Sequence, residues 1–173
     1  INPVVDNMRS AIDQFPEDER DSIHIAFTAH SIPMGMARNS AYLAQLTEAC
    51  RIVAEMIGTE NYKLVYQSRS GPPAMPWLDP DILDYMDTIA EQGIKNLVIM
   101  PIGFISDHME VLFDLDTEAI EKADELGMTM IRAATVGTAK PFIRMIRDLI
   151  IERMTENPDR PALGSLPANH DIC

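Results

Sequence analysis

The chain has 173 residues, 46% of them hydrophobic and 24% charged, a composition that fits one globular domain with its own core and excludes a disordered or fibrous protein. A formal net charge of −13 repels phosphate backbones, which excludes broad nucleic-acid binding, and the same field attracts cations. Two cysteines make no disulfide framework, and no apolar run reaches the ~20 residues of a membrane span, so a cytoplasmic protein without a transmembrane segment is expected.

In chain order, the first helical pattern covers residues 4–15. It leads into "SIHIAFT" (22–28), a short apolar run of the kind that forms a strand buried on both faces of a parallel sheet. Residues 41–57 follow as an amphipathic helix, with Leu43, Leu46, Cys50, Val53 and Ile57 on one stripe and Gly58 ending it. "YKLVYQS" (62–68) is the second strand, and a helix marked by Ile82, Met86 and Ile89 runs to Gly93. "NLVIMPI" (96–102) is the third strand, residues 109–126 the next helix, "MTMIRA" (128–133) a weaker fourth strand and residues 141–154 the last helix. Strands alternating with helices predict an α/β fold, a parallel sheet flanked by helices. The domain is expected to span residues 1–155, followed by a loop-like tail over 156–173. With a start at Ile1 and a stop at Cys173, the chain is expected to belong to a longer polypeptide, its tail truncated.

In a parallel sheet, functional groups gather in the loops past the carboxyl ends of the strands. Three segments are expected at that edge: "FTAHSIPMG", "YQSRSGPPAMPWLDPD" and "PIGFISDHMEVLFDLDTEA". The first carries His30 and Ser31. An imidazole can accept and pass a proton near neutral pH, although the commoner role of a lone strand-end histidine is to hydrogen-bond a neighbouring carbonyl. The second holds Pro72, Pro73, Pro76 and Pro80 around the only tryptophan, Trp77. A proline-stiffened loop presenting Trp77 and Met75 suits a flat apolar ligand, and a Trp folded back on its own domain is the equal alternative.

The third segment is the richest in charge. At about 100° per residue, Glu110, Asp114, Glu118, Glu121 and Glu125 fall within about 80° of one another, and Leu112, Phe113, Ala119, Ile120 and Ala123 are expected on the opposite, core-facing side. Such a row is a solvated face, as expected for Glu121 and Glu125, or a relay for a hard divalent cation, as is conceivable for its upper members. Asp107 and Glu110 have the spacing of a capping box. Asp116 projects toward the apolar side, where a carboxylate needs a partner that the sequence does not name.

"FTAHSIP", "YQSRSGPPAMPWLDPD" and "PIGFISDHMEVLFDLD" together closely resemble the three signature stretches of ferrochelatases, in that family's order and spacing, over roughly residues 1–154. The resemblance implies one lobe, the C-terminal one, of a two-lobed chelatase fold, whose N-terminal lobe would supply the other wall of a porphyrin cleft. It implies a lyase of heme biosynthesis that inserts Fe²⁺ into a porphyrin. His30 and Glu110 correspond to the catalytic pair; Ser31, Ser68 and Trp77 to porphyrin-binding residues; and His30, Glu110, Asp114 and Glu118 to the path of the metal. The wording "SRSGPP" and "SIP" resembles the actinobacterial and Gram-positive branch, which implies coproporphyrin III rather than protoporphyrin IX as substrate. That branch also implies a two-iron two-sulfur cluster in the full-length protein, with Cys173 a candidate ligand, and peripheral membrane contact remains open. A short, dimerising chelatase that loads cobalt into a corrin precursor is the competing enzyme, but the histidine pairs of that type are not found here.

Overall fold

The computed structural model describes residues 1–72, 74–155 and 160–168. Its centre is a four-stranded sheet, β1 (His24–His30), β2 (Tyr62–Gln67), β3 (Asn96–Met100) and β4 (Thr129–Arg132), in the order β2-β1-β3-β4. All three pairings are parallel, so every carboxyl end lies on one edge, as the alternation of elements implies. The expected α/β architecture is thus present.

The strands are apolar on both faces because both faces are covered. Ile25 and Phe27 of β1 point into one core, formed with α1 (Asn2–Ile12) and α3 (Tyr42–Ile57) through Met8, Cys50 and Val53. Ala26 of β1 points into the other, with α4 (Ile82–Glu91) and the helix after β3, through Met86, Ile89, Val111 and Leu115. A short helix, α2 (Met34–Arg38), follows β1, and Ala37 joins Ala29, Leu46, Tyr66 and Leu78 in a small cluster by the carboxyl edge. The last helix, α7 (Lys140–Met154), comes after β4.

Three expectations need correction. Leu43 is exposed rather than on the buried side of α3. The helix expected over 109–126 is divided: α5 (Met109–Phe113), a π-helical turn (Asp114–Glu118) and α6 (Ala119–Leu126) run on from one another. Its core side is Val111, Leu115, Ala119 and Ala123, whereas Leu112, Phe113 and Ile120 are exposed. The π turn accounts for the error. In an α-helix every fourth residue drifts by about 40°, and i→i+5 bonding underwinds the chain, so a strict four-residue repeat keeps facing the sheet.

Candidate active site

β1 ends at His30, so the histidine closes the strand rather than following it. Side chains alternate along a strand, which puts Thr28 and His30 on the face of Ala26, toward α5. Gln67, the register partner of His30 on β2, shares that face with Val65. The loop after β3 reaches the same place by crossing closely over β1. Gly103 donates its N–H to the Thr28 carbonyl at 3.0 Å, and a Cβ at Gly103 would stand 2.6 Å from that of Ala29. Only glycine permits that approach.

The imidazole of His30 has two different sides. Nδ1 lies 2.5 Å from the Ser31 carbonyl oxygen. A carbonyl only accepts, so Nδ1 carries the hydrogen in that bond. The lone pair of the neutral ring is therefore on Nε2, which faces Glu110 Oε1 at 3.7 Å. On its other oxygen Glu110 faces His108 Nδ1 at 3.8 Å. These separations exceed hydrogen-bond length. The group is open, with side-chain exposures of 33% for His30, 42% for His108 and 54% for Glu110. No cluster of three or more ligating side chains is pre-arranged for a metal among the described residues.

Asp114 is drawn toward the sheet. Its Oδ2 accepts from the Gln67 amide at 3.1 Å and from the Ser68 hydroxyl. Ser68 holds this position with a left-handed backbone, φ 60°. Beneath them, Gln67 Oε1 and Thr28 Oγ1 are buried without a hydrogen-bond partner among the described residues. Glu118 is half-buried at the end of the π turn.

Asp107 and Asp116, which sequence patterns leave unresolved, share one cation. Arg132, the last residue of β4, grips Asp116 through Nε and through Nη2 (2.8 Å) and reaches Asp107 with Nη1 at 3.0 Å. The bond to Asp116 holds the guanidinium further above its ordinary range. Asp107 therefore does not cap the helix: His108 is the N-cap residue of α5 and makes no side-chain cap bond. Arg132 was missed in the sequence. The available signal was an arginine ending the fourth strand, on the edge where an unpaired aspartate was expected.

Ser31 is buried, its hydroxyl donating to the Leu78 carbonyl at 2.7 Å. The long second loop is pinned to the segment after β1 by Leu78 N–H to Ile32 C=O (3.0 Å) and Met34 N–H to Pro76 C=O (2.9 Å). Trp77 bridges to Pro33 and lies against Gly71, whose hypothetical Cβ would come 2.7 Å from the indole. Its Nε1 is buried without a partner among the described residues. The ring is thus folded onto its own loop. Cys50 is buried and its thiol is pushed up to about 12 by that burial, which makes it a core residue. Cys173 and Pro73 lie outside the described residues.

Comparison with known proteins decides the family. A family model described as ferrochelatase matches residues 1–154. The chain belongs to the ferrochelatase family. A ferrochelatase of Rhodopirellula baltica is 53% identical, over 86% of this chain and 43% of its own length. Coproporphyrin III ferrochelatases of Streptomyces griseus and Corynebacterium glutamicum are 44% and 43% identical, covering 100% and 90% of this chain and 51% and 44% of theirs. The chain thus spans about half the length of the curated relatives it matches. A solved structure of a CbiX protein of cobalamin biosynthesis from Marinobacter aquaeolei overlays at a TM-score of 0.49 with 19% identity, covering 76% of this chain and 97% of that one, an overlap too loose to bear on fold or chemistry. No described helix is long and apolar enough to cross a membrane.

Proposed function

We propose that this chain is the second lobe of a two-lobed ferrochelatase, and that residues 1–155 form one wall of a cleft where Fe²⁺ enters a porphyrin. The observation that carries the reading is the pairing of His30 with Glu110. Insertion releases two protons: the free-base ring loses two pyrrole N–H hydrogens as Fe²⁺ takes their place, with no change in oxidation state. His30 Nε2 bears a lone pair toward the cleft because Nδ1 is committed to the Ser31 carbonyl. It takes the two pyrrole protons one after the other, and Glu110, 3.7 Å away and open to water, stabilises each imidazolium and passes its proton to solvent, which frees Nε2 for the next. The gap is ordinary for a site without its substrate, since such bonds tighten when the substrate closes it.

Fe²⁺ is a substrate here. Glu110, Asp114 and Glu118 are its proposed path, a hard cation suiting carboxylate oxygens. On Asp114 both protein bonds fall on Oδ2, so Oδ1 is the oxygen assigned to the metal. Ser31 acts by holding the Trp77 loop rather than by touching the ring, and Ser68 and Trp77 line the wall. Ile105 and Met109, 63% and 78% exposed beside His108 and Glu110, offer apolar surface for the macrocycle. The names of the Streptomyces and Corynebacterium relatives support coproporphyrin III as the porphyrin. A two-iron two-sulfur cluster is usually held by four thiolates; this chain has two cysteines, and Cys50 is buried, so the usual set would draw on residues outside it.

The test is anaerobic titration of coproporphyrin III with Fe²⁺, followed by its absorption spectrum. The full-length protein should metallate the ring and this chain alone should be nearly inactive, because catalysis needs a closed, oriented site. Full activity from the lone 173 residues refutes the half-enzyme reading. Ring binding without metallation by the full-length protein refutes the enzyme.

A further inference from the structure

Glu110 stands on a stretch that does not hold itself in place. Every residue from Ile105 to Glu110 is exposed, and the first buried one is Val111. The Glu110 carboxylate lies 3.7 Å from His30 and 3.8 Å from His108, beyond hydrogen-bond length. Its helix, α5, has five residues, and the N-cap His108 makes no side-chain cap bond. So short a helix does not persist on its own backbone bonds. The place of Glu110 is therefore set from outside α5.

Arg132 is the group that reaches both ends of that helix. It ends β4 in register with Ile99 of the interior strand β3, and the next residue, Ala133, donates its N–H to the Ile99 carbonyl at 2.8 Å. From this anchored base Nε and Nη2 hold Asp116, in the π turn that follows α5, and Nη1 holds Asp107, just ahead of it, at 3.0 Å. A few residues on, the Gly137 N–H donates to the Ile105 carbonyl at 2.9 Å and ties down the same approach to α5.

We infer that Arg132 is a positioning residue for metal insertion: its guanidinium braces α5 from both ends and so sets Glu110 opposite His30. The inference rests on the reading above in which His30 and Glu110 handle the protons. His30 ends β1 and Arg132 ends β4, so one sheet is the frame for both partners of the pair. A planar fork suits this task, because it fixes two carboxylates at set angles, whereas a lysine ammonium is a point charge on a flexible stem. A misplacement of about 1 Å costs up to about 10²-fold in rate. An ion pair that only stabilises the fold would, on removal, lower Tm and leave the turnover of each folded molecule unchanged.

The test measures anaerobic Fe²⁺ insertion into coproporphyrin III by the full-length enzyme, at a temperature where circular dichroism shows each variant folded. Arg132→Met should lower kcat about 10-fold and change KM for coproporphyrin III by less than about 2-fold. Arg132→Lys keeps the charge without the fork and should remain at least about 5-fold below the wild type. In a Glu110→Gln background, Arg132→Met should lower kcat by less than about 2-fold, since the carboxylate it positions is already gone. Asp107→Asn cuts the same brace at an exposed residue. It should lower kcat about 5-fold, again only while Glu110 is present, and it carries the test where Arg132→Met does not fold. Normal kcat in the folded variants, full recovery in Arg132→Lys, or equal losses with and without Glu110 overturn the inference and leave the proton-handling pair standing. Absence of metallation by the wild-type full-length enzyme overturns that pair and the inference with it.

Discussion

β1 begins and ends with a histidine, and the two ends of that strand differ in almost everything that determines what an imidazole does. His24 is 6% exposed, with Nδ1 at 2.5 Å from the Asn61 side-chain oxygen and Nε2 at 2.8 Å from the Tyr85 hydroxyl. Both nitrogens are committed, and burial lowers its pKa. His30 commits one nitrogen to a backbone carbonyl and turns the other to a carboxylate across an open gap. The amino edge of the sheet is closed by polar pairs such as Asn96 with Glu19 and Ser22, whereas the carboxyl edge leaves His30, His108 and Glu110 in reach of a ligand. A histidine with both nitrogens satisfied serves the fold, and one with a free lone pair facing a cleft can serve chemistry.

The sharpest way to break this contrast is to remove each ring from the full-length enzyme. His30→Ala should lower kcat for iron insertion by about 10³-fold, the range of a lost general base, with little change in Tm. His24→Ala should do the reverse, leaving turnover per folded molecule near normal and lowering Tm. Stopped-rate metallation beside thermal unfolding reads both, and near-normal turnover in His30→Ala removes that residue from the mechanism. Next in size is Glu110→Gln, which keeps the shape and removes the charge. It should lower kcat by about 10²-fold with KM for porphyrin nearly unchanged, because the group acts during the chemical step.

The elements that were legible in sequence are those whose signal is local. Buried parallel strands announce themselves as short apolar runs, and β2 and β3 start where their runs do. β1 is displaced by two residues, from the expected 22–28 to His24–His30, because Ser22 closes a 3-10 turn ahead of the strand and pairing with Tyr66 and Gln67 of β2 carries the strand on through Ala29 and His30, neither of which the apolar run reports. The carboxyl-edge segments were found because parallel topology places them there. What was not legible depends on distant partners. With the π turn, Val111 and Leu115 join Ala119 and Ala123 on the core side of 109–126 in place of Leu112, Phe113 and Ile120, and no single-sequence periodicity reports underwinding. The pairing of Asp116 with Arg132 joins a helix to the strand that follows it, and Asp114 finds Gln67 and Ser68 46 residues or more away.

Arg132 sharpens the contrast, because it is a polar group at the carboxyl edge with a structural task. Its side chain is 15% exposed and it restrains both Asp107, before His108, and Asp116, in the π turn. Arg132→Met should destabilise the fold by about 2 kcal/mol, since it leaves two carboxylates partly buried without their cation. Denaturant unfolding measures it. A loss within about 0.5 kcal/mol, the ordinary surface range, would make the pairing decorative. Asp114→Asn should have a smaller effect on the fold and raise the apparent KM for Fe²⁺ more than that for porphyrin; equal small changes in both would leave Asp114 a helix anchor only.

The smallest expected effect comes from the closed end of β1. The pKa of His24 is lowered below its ordinary 6.5, chiefly by burial, against the raising influence of the Asn61 bond. The unfolded chain therefore binds this proton more readily than the folded one. Between the folded pKa and 6.5 the unfolded state holds more protons, so stability rises with pH across that window and falls as pH drops through it. The contribution is intact above pH 6.5 and is lost progressively on acidification, with a slope of at most about 1.4 kcal/mol per pH unit for one proton. His24→Gln keeps a polar side chain and removes the titration. At pH 8 it should be less stable than the wild type by about 1 kcal/mol, for hydrogen bonds made less well. From pH 8 to pH 5 it should lose less stability than the wild type, so the two curves converge. Urea unfolding at each pH measures both curves, with His30→Ala carried alongside as the histidine variant of the open end. Parallel curves for wild type and His24→Gln would show that the buried ring takes up its proton without cost to the fold, and the contrast between the two ends of β1 would then rest on geometry alone.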